Sequence, residues 1–213
     1  MIYMRLILVR HGETEWNRQS RIIGHTEIAL NETGRRQAAL LAQALRNEKV
    51  SAIYASPLQR TRETAAEISR VVSVKVMFDD DLKEIAAGDI DGLTFEEVSE
   101  RYGDFFKLWM RGDPTLRLPG GESFMDLRNR TWPALQRIVG EHNDGDVIVV
   151  SHTLAIMSIV ASALGMDIAD FRRIRLNVAS ISILEFKDRN VSLLLFNDTC
   201  HLKGLERIEG RVL

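Results

Sequence analysis

Short apolar runs punctuate the chain, and amphipathic stretches separate them. Leu6-Ile7-Leu8-Val9 is apolar without alternation, which predicts a strand buried on both faces that delivers Arg10 and His11 at its carboxyl end. Similar runs recur at Ala52 to Ala55 and at Val147 to Val150. Between them, Asn31 precedes a helical pattern from Gly34 to Glu48 with Ala38, Leu41, Ala42 and Leu45 on one face. Ser56-Pro57-Leu58-Gln59 has the form of a capping box with proline at the first helical position, opening a helix to about Val72. Thr94-Phe95-Glu96-Glu97 and Ser123-Phe124-Met125-Asp126 predict two more helix starts. The second opens a long amphipathic stretch that Pro133 is expected to bend or split. Ser180 to Phe186 and Val191 to Phe196, flanking Lys187 to Asn190, predict a hairpin or a pair of edge strands.

Strands alternating with helices imply an α/β fold with a mostly parallel central sheet and helices on both faces. A single domain over 1–213 is expected, with the segment at about 85–122, rich in glycine and acids, inserted as a cap. Val147 to Met166 is long enough to span a bilayer, but the polar break Ser151-His152-Thr153 divides it into a strand and a buried helix. No membrane partner is therefore expected.

Composition narrows the function classes. Lys and Arg number 28 against 30 Asp and Glu, so no general positive field exists to attract nucleic acid, and any anion site must be built locally. Cys200 is the single cysteine and nothing resembles a signal peptide, which favours a reducing, cytoplasmic location. The five histidines show no tight zinc-type spacing; no metal and no cofactor are expected.

Ligands of parallel α/β sheets bind at the carboxyl ends of strands. Three such ends carry basic groups: Arg10-His11-Gly12, Ser56 leading into a helix with Arg60, and Ser151-His152-Thr153. Each alone is as readily a satisfied strand-end residue or a surface arginine. Together, two arginines and two imidazoles on one rim make a clamp for a phosphate dianion. The guanidinium charges should lower the pKa of both imidazoles and keep one of them neutral, and neutral imidazole is the nucleophilic form. A leaving alcohol then needs a proton. Glu84 in Leu82-Lys83-Glu84-Ile85 is one candidate acid, which spacing alone does not separate from Asp79, Asp80, Asp81, Asp89 or Asp91.

Leu8-Val9-Arg10-His11-Gly12-Glu13-Thr14-Glu15-Trp16-Asn17 strongly resembles the signature of the histidine phosphatase superfamily, which includes the cofactor-dependent phosphoglycerate mutases. The likeness continues in order through Leu30-Asn31-Glu32-Thr33-Gly34, Ser56 to Ala65, Leu82 to Ile85, Gly120-Gly121-Glu122-Ser123 and Val149 to Thr153. The resemblance implies a three-layer α/β sandwich and roles for matching residues. His11 would be the nucleophile, Glu84 the general acid and later base, and His152 a third catalytic group. Arg10, Asn17, Gly24, Arg60 and Thr153 would surround the phosphate. One departure stands out: many family phosphatases have Gln before the glycine matched by Gly24, and this chain has Ile23, leaving neighbouring His25 as a candidate replacement donor.

The resemblance favours a phosphatase acting on a small phosphorylated metabolite, with a phosphoglycerate mutase as the alternative. The chain is short of the mutases' extra cap residues, and Glu84 to Gly92 lacks their aromatic-rich sequence. A phosphate-binding scaffold without catalysis is disfavoured, because the basic groups and Glu84 are all present. His201 is a candidate substrate contact. Arg62, Arg111 and Arg117 are candidate carboxylate contacts if the cap turns them inward. Phosphoserine is less favoured, since Ala87 stands where metal-independent phosphoserine phosphatases tend to have His. A homodimer through the edge strand at Val191 to Phe196 is also expected.

Overall fold

The computed structural model describes residues 3–142, 144–188 and 190–205. Along the chain come β1 (Tyr3–Arg10), α1 (Glu15–Arg18), α2 (Glu32–Ala44), β2 (Val50–Ala55), α3 (Gln59–Val72) and β3 (Val76–Phe78). Then follow α4 (Phe95–Arg101), α5 (Gly103–Met110), α6 (Phe124–Glu141), β4 (Asp146–Ser151), α7 (Thr153–Ala163), β5 (Ile181–Lys187) and β6 (Asn190–Asp198). The strands form one six-stranded sheet in the order β3-β2-β4-β1-β5-β6. The first four run parallel, β5 is antiparallel to β1, and β6 is antiparallel to β5. The hairpin forms as expected, although its turn includes Arg189, outside the described residues.

The pleat sends alternate residues to opposite faces, and each face acquires its own core. Met4, Leu6, Leu8, Val147 and Val149 meet Leu127, Leu135 and Ile138 of α6 and Ile156 and Ile159 of α7. Ile7, Val9, Ile53, Ile148 and Val150 meet Leu41 and Ala42 of α2 and Ala65 and Ile68 of α3. This is the three-layer arrangement, and it explains why the central runs are continuously apolar. The segment 147–166 divides as its polar break implied, into buried β4 and buried α7. Among the described residues no helix is long and apolar enough to cross a membrane.

Local signals mostly hold. Asn31 Oδ1 accepts from Gly34 N at 2.8 Å to start α2, which stops at Ala44 rather than Glu48 because the chain turns there to enter β2. Thr94 and Ser123 both form reciprocal capping boxes. The box at Ser56 does not form: α3 starts at Gln59 with no side-chain cap bond, because the Ser56 hydroxyl faces His152 instead. Pro133 does not split α6, which runs unbroken from Phe124 to Glu141. Leu127 and Thr131 before the proline and Ala134, Leu135 and Ile138 after it are buried, and this packing outweighs one missing backbone bond.

Candidate active site

The carboxyl ends of β1, β4 and β2 lie side by side in the sheet, so their following residues share one rim. His11 leaves β1 with its amide on the Ser151 carbonyl at 3.1 Å and its own carbonyl accepting from Ala179 N at 3.0 Å. The next residues make a very close approach to α2. A Cβ on Gly12 would lie 2.5 Å from the Gly34 carbonyl oxygen, and one on Gly34 only 2.0 Å from that of Glu13. Glycine at both positions is therefore a packing requirement that fixes the turn carrying His11.

The His11 ring is buried, with Nδ1 at 2.7 Å from the Gly12 carbonyl oxygen. That oxygen only accepts, so Nδ1 carries the proton and Nε2 keeps a free lone pair. Burial, then the Arg60 and Arg10 charges, hold the imidazole pKa well below its ordinary range, outweighing the Gly12 bond. His11 is thus neutral near pH 7, with the lone pair on the ring nitrogen that makes no backbone bond.

His152, at the end of β4, is also fully buried, with its ring centroid 5.2 Å from that of His11. Arg60 Nε donates to its Nδ1 at 3.2 Å, so the ring proton sits on Nε2 and is donated to Ser56 Oγ at 2.8 Å. Burial and the Arg60 charge again keep this imidazole well below its usual pKa. Arg60 has no exposed surface, which excludes the surface-arginine reading. Its other nitrogens reach the Thr26 and Gly24 carbonyls at 3.1 and 2.8 Å. Arg10 donates to the Leu176 carbonyl at 2.5 Å, while its buried Nε has no partner among the described residues. Burial lowers both guanidinium pKa values to about 10, so both remain cationic at neutral pH.

Glu84 joins the same electrostatic cluster, its charge acting on both arginines. The carboxyl group is buried, with Oε1 accepting from Ile85 N at 2.9 Å and Oε2 from Leu154 N at 3.1 Å, in the first turn of α7. Burial raises its pKa, outweighing the two amides and the arginines that favour the anion. Three of the alternative acids are engaged by other groups, although the Asp91 charge also acts on Arg60. Asp91 accepts from Gly24 N and Thr26 N, Asp79 pairs with Arg137, and Asp80 pairs with Lys83. Beside Glu84, Ile85 and Leu154 also help to wall an apolar pocket completed by Trp109, Leu118 and Phe124, with Asp113 at one side.

The remaining expected residues fall out differently. Asn17 closes the capping box of α1 through Oδ1 on Thr14, leaving its amide nitrogen without a partner among the described residues. Thr153 is the buried first residue of α7. Gly24 has its amide taken by Asp91 and its carbonyl by Arg60, so its backbone positions the 24–26 loop and offers no free N–H. His25, the candidate replacement for the missing donor at Ile23, places Nε2 at 2.7 Å from the Glu84 carbonyl, which commits one of its two ring nitrogens. His201 contacts the Ala179 carbonyl at 3.0 Å. Arg62 and Arg117 lie at the surface near Glu27 and Asp126. Sequence reasoning missed Ser56 as the partner of His152 and Asp91 as the anchor of the 24–26 loop. Only proximity in the fold reveals these pairs, which lie far apart in the chain.

Comparison with known proteins agrees with this geometry. Residues 6–199 match the model of the histidine phosphatase superfamily, branch 1. The chain belongs to that superfamily. It is therefore an enzyme of the phosphoglycerate mutase-like type. It is 38% identical over 199 residues to phosphoserine phosphatase 1 of Hydrogenobacter thermophilus, covering 93% of this chain and 94% of the relative. A probable phosphoglycerate mutase of Photorhabdus laumondii subsp. laumondii is 35% identical, with 86% of each chain covered. Among solved structures, Bacillus stearothermophilus YhfR superposes with a TM-score of 0.88 at 29% identity, covering 94% of this chain and all of that one.

Proposed function

We propose that this superfamily member is a phosphatase of small phosphomonoesters that works through a phosphohistidine on His11. The observation that carries the reading is the bond from His11 Nδ1 to the Gly12 carbonyl, which leaves Nε2 as a lone-pair nucleophile in a cationic pocket. Nε2 attacks phosphorus in line, and the bond between phosphorus and the alcohol oxygen breaks. The carboxyl proton of Glu84 passes to that oxygen, so the alcohol leaves neutral. Glu84, now a carboxylate, takes a proton from water as the water oxygen bonds to phosphorus and the N–P bond breaks. Inorganic phosphate departs and the enzyme is restored.

Arg10, Arg60 and the amide nitrogen of Asn17 hold the equatorial oxygens on which negative charge is spread. His152, held neutral by burial and the Arg60 charge, accepts from Arg60 at Nδ1 and so orients that guanidinium toward the phosphate. Thr153 closes the pocket at the N-terminus of α7. The 85–122 segment covers the alcohol side as a cap. Ala87 is buried and supplies no polar group toward a phosphoserine amine or carboxylate. The hydrolytic reading over the mutase one rests on the short sequence after Glu84. It has further support from the near end-to-end likeness to a phosphatase of similar length. A second copy of the chain would pair along β6, the sheet edge, where Leu193, Leu194 and Leu195 are exposed.

The test is phosphate release from a panel of phosphoserine, phosphoglycerates, sugar phosphates and aryl phosphates with EDTA present. A coupled assay for interconversion of 3- and 2-phosphoglycerate runs beside it. Release without interconversion is expected; interconversion without release contradicts the hydrolytic reading.

A further inference from the structure

The Gly120-Gly121-Glu122-Ser123 motif lies between the 85–122 segment and α6, and none of its members is assigned above to substrate. Its backbone makes room for a close crossing. A Cβ on Gly121 would fall 2.1 Å from the Ala86 carbonyl oxygen, so only glycine lets the two segments touch. Across that contact Glu122 N donates to the Ala86 carbonyl at 2.9 Å, and Glu122 Oε2 accepts from Ala86 N at 2.9 Å. Ser123 caps α6 and thereby sets the rotational position of Arg130 in its second turn.

Arg130 uses its whole donor set here. A guanidinium carries five N–H bonds in a fixed planar fork. Nε and Nη2 grip Glu122 as a two-point pair, each at 2.9 Å. Nη1 donates to the carbonyls of Asp81 and Lys83, both at 2.8 Å, and Nη2 also to that of Glu84 at 2.7 Å. Carbonyls at 81, 83 and 84 are thus held by Arg130, and the amide at 86 by Glu122. Glu84 sits in the middle of this grip, on a stretch with no strand or helix of its own after the single turn at Asp80–Leu82. His25 adds a contact to the same Glu84 carbonyl at 2.7 Å.

We infer that Arg130, oriented by Glu122, is the positioning residue for the general acid: it fixes the Glu84 backbone so that the carboxyl group meets the leaving oxygen. This inference rests on the role of Glu84 proposed above. Arg130 has no part in holding phosphate, so its loss should act on proton delivery and spare nucleophilic attack. A displacement of about 1 Å at a reacting group costs on the order of 10²-fold in rate. An alkyl phosphate, whose leaving alkoxide needs the proton, should register that loss. p-Nitrophenyl phosphate, whose phenolate leaves unaided, should not.

The experiment compares kcat and KM on glycerol 1-phosphate and p-nitrophenyl phosphate. The enzymes are wild type, Arg130→Met, Arg130→Lys, Glu122→Gln, Glu84→Gln and the Glu84→Gln/Arg130→Met double variant, with thermal melts and circular dichroism on each. Arg130→Met should lower kcat/KM, which reports the phosphoryl-transfer step alone, by roughly 10- to 100-fold on the alkyl ester and by less than about 3-fold on the aryl ester. Arg130→Lys should restore only part, because an ammonium cannot span four acceptor groups. In the Glu84→Gln background, Arg130→Met should add no further loss on the alkyl ester, the mark of one residue acting through the other. Equal losses on both esters, or a full additional loss in the double variant, overturn the inference and leave Arg130 a structural tie. If Arg130→Met does not fold, Glu122→Gln carries the test with the same pattern at smaller amplitude. A Glu84→Gln enzyme without leaving-group discrimination removes the acid role itself, and the positioning role with it.

Discussion

The two halves of the site are built by different means. On the side of the proposed nucleophile, Arg10 ends β1, His11 and His152 directly follow β1 and β4, and Arg60 stands in the first turn of α3. Their backbones are held by the sheet ladder and by packing so close that Gly12 and Gly34 tolerate no Cβ. On the side of the proposed acid, Glu84 lies on an irregular stretch held by the side chains of Arg130 and Glu122 and by the backbone amides that grip its carboxyl group. One side inherits its precision from secondary structure, while the other must assemble it from hydrogen bonds. The nucleophile must be right for every substrate, and the acid matters in proportion to how badly the leaving group needs a proton.

His11→Ala should break the nucleophile side completely. Turnover should vanish on alkyl and aryl phosphates alike while circular dichroism and melting stay near wild type, because a buried ring at a strand end is replaced without touching the ladder. Residual activity favouring either class of ester would contradict that.

Glu84→Gln should separate the two sides. Removing a general acid costs roughly 10²- to 10⁴-fold where the proton is needed, so glycerol 1-phosphate should suffer that loss in kcat/KM and p-nitrophenyl phosphate far less. The pH profile carries the same distinction. His11 must be neutral, and its depressed pKa places the acid limb of kcat/KM below the ordinary imidazole range. Glu84 must be protonated, and its raised pKa extends activity above the ordinary carboxyl range before the alkaline limb sets in. In Glu84→Gln the alkaline limb on alkyl esters should disappear. A wild-type optimum that moves with neither residue would reject both assignments.

The smallest effect tests packing. Glycine to alanine inside a helix ordinarily gains up to about 1 kcal/mol from propensity. At Gly34 the added methyl meets the Glu13 carbonyl oxygen at 2.0 Å, so overpacking at about 1–3 kcal/mol should win. Gly34→Ala should melt several degrees lower, and if it folds it should lose activity on both esters equally. Gly140, in α6 with open space where an alanine methyl would sit, is the control position, where alanine should be neutral or stabilising.

This division also explains what the sequence made legible. Apolar runs showed β1, β2 and β4, and with them the strand ends where His11 and His152 stand, because buried parallel strands leave a continuous signature. Thr94 and Ser123 announced their helices through a local four-residue pattern. Ser56 carried the same pattern and was misread, since its hydroxyl is claimed by His152, 96 residues away in sequence. Pro133 looked like a break, but packing on both sides of it holds α6 together. Glu84 could not be distinguished from its acidic neighbours by spacing and emerged only through family resemblance. Its support was invisible for a related reason: Glu122 stood in a family motif without a role and Arg130 carried no signal until the fold brought both against the 81–86 backbone.

The central claim, covalent transfer to His11, is tested most directly by trapping. Enzyme turning over p-nitrophenyl phosphate is quenched in denaturant at alkaline pH, where phosphohistidine survives, and digested for mass spectrometry. A single phosphoryl group on the peptide containing His11, lost on acid treatment and absent from His11→Asn, is the predicted result. A phosphorylated residue elsewhere, or full turnover by His11→Asn, would contradict the account.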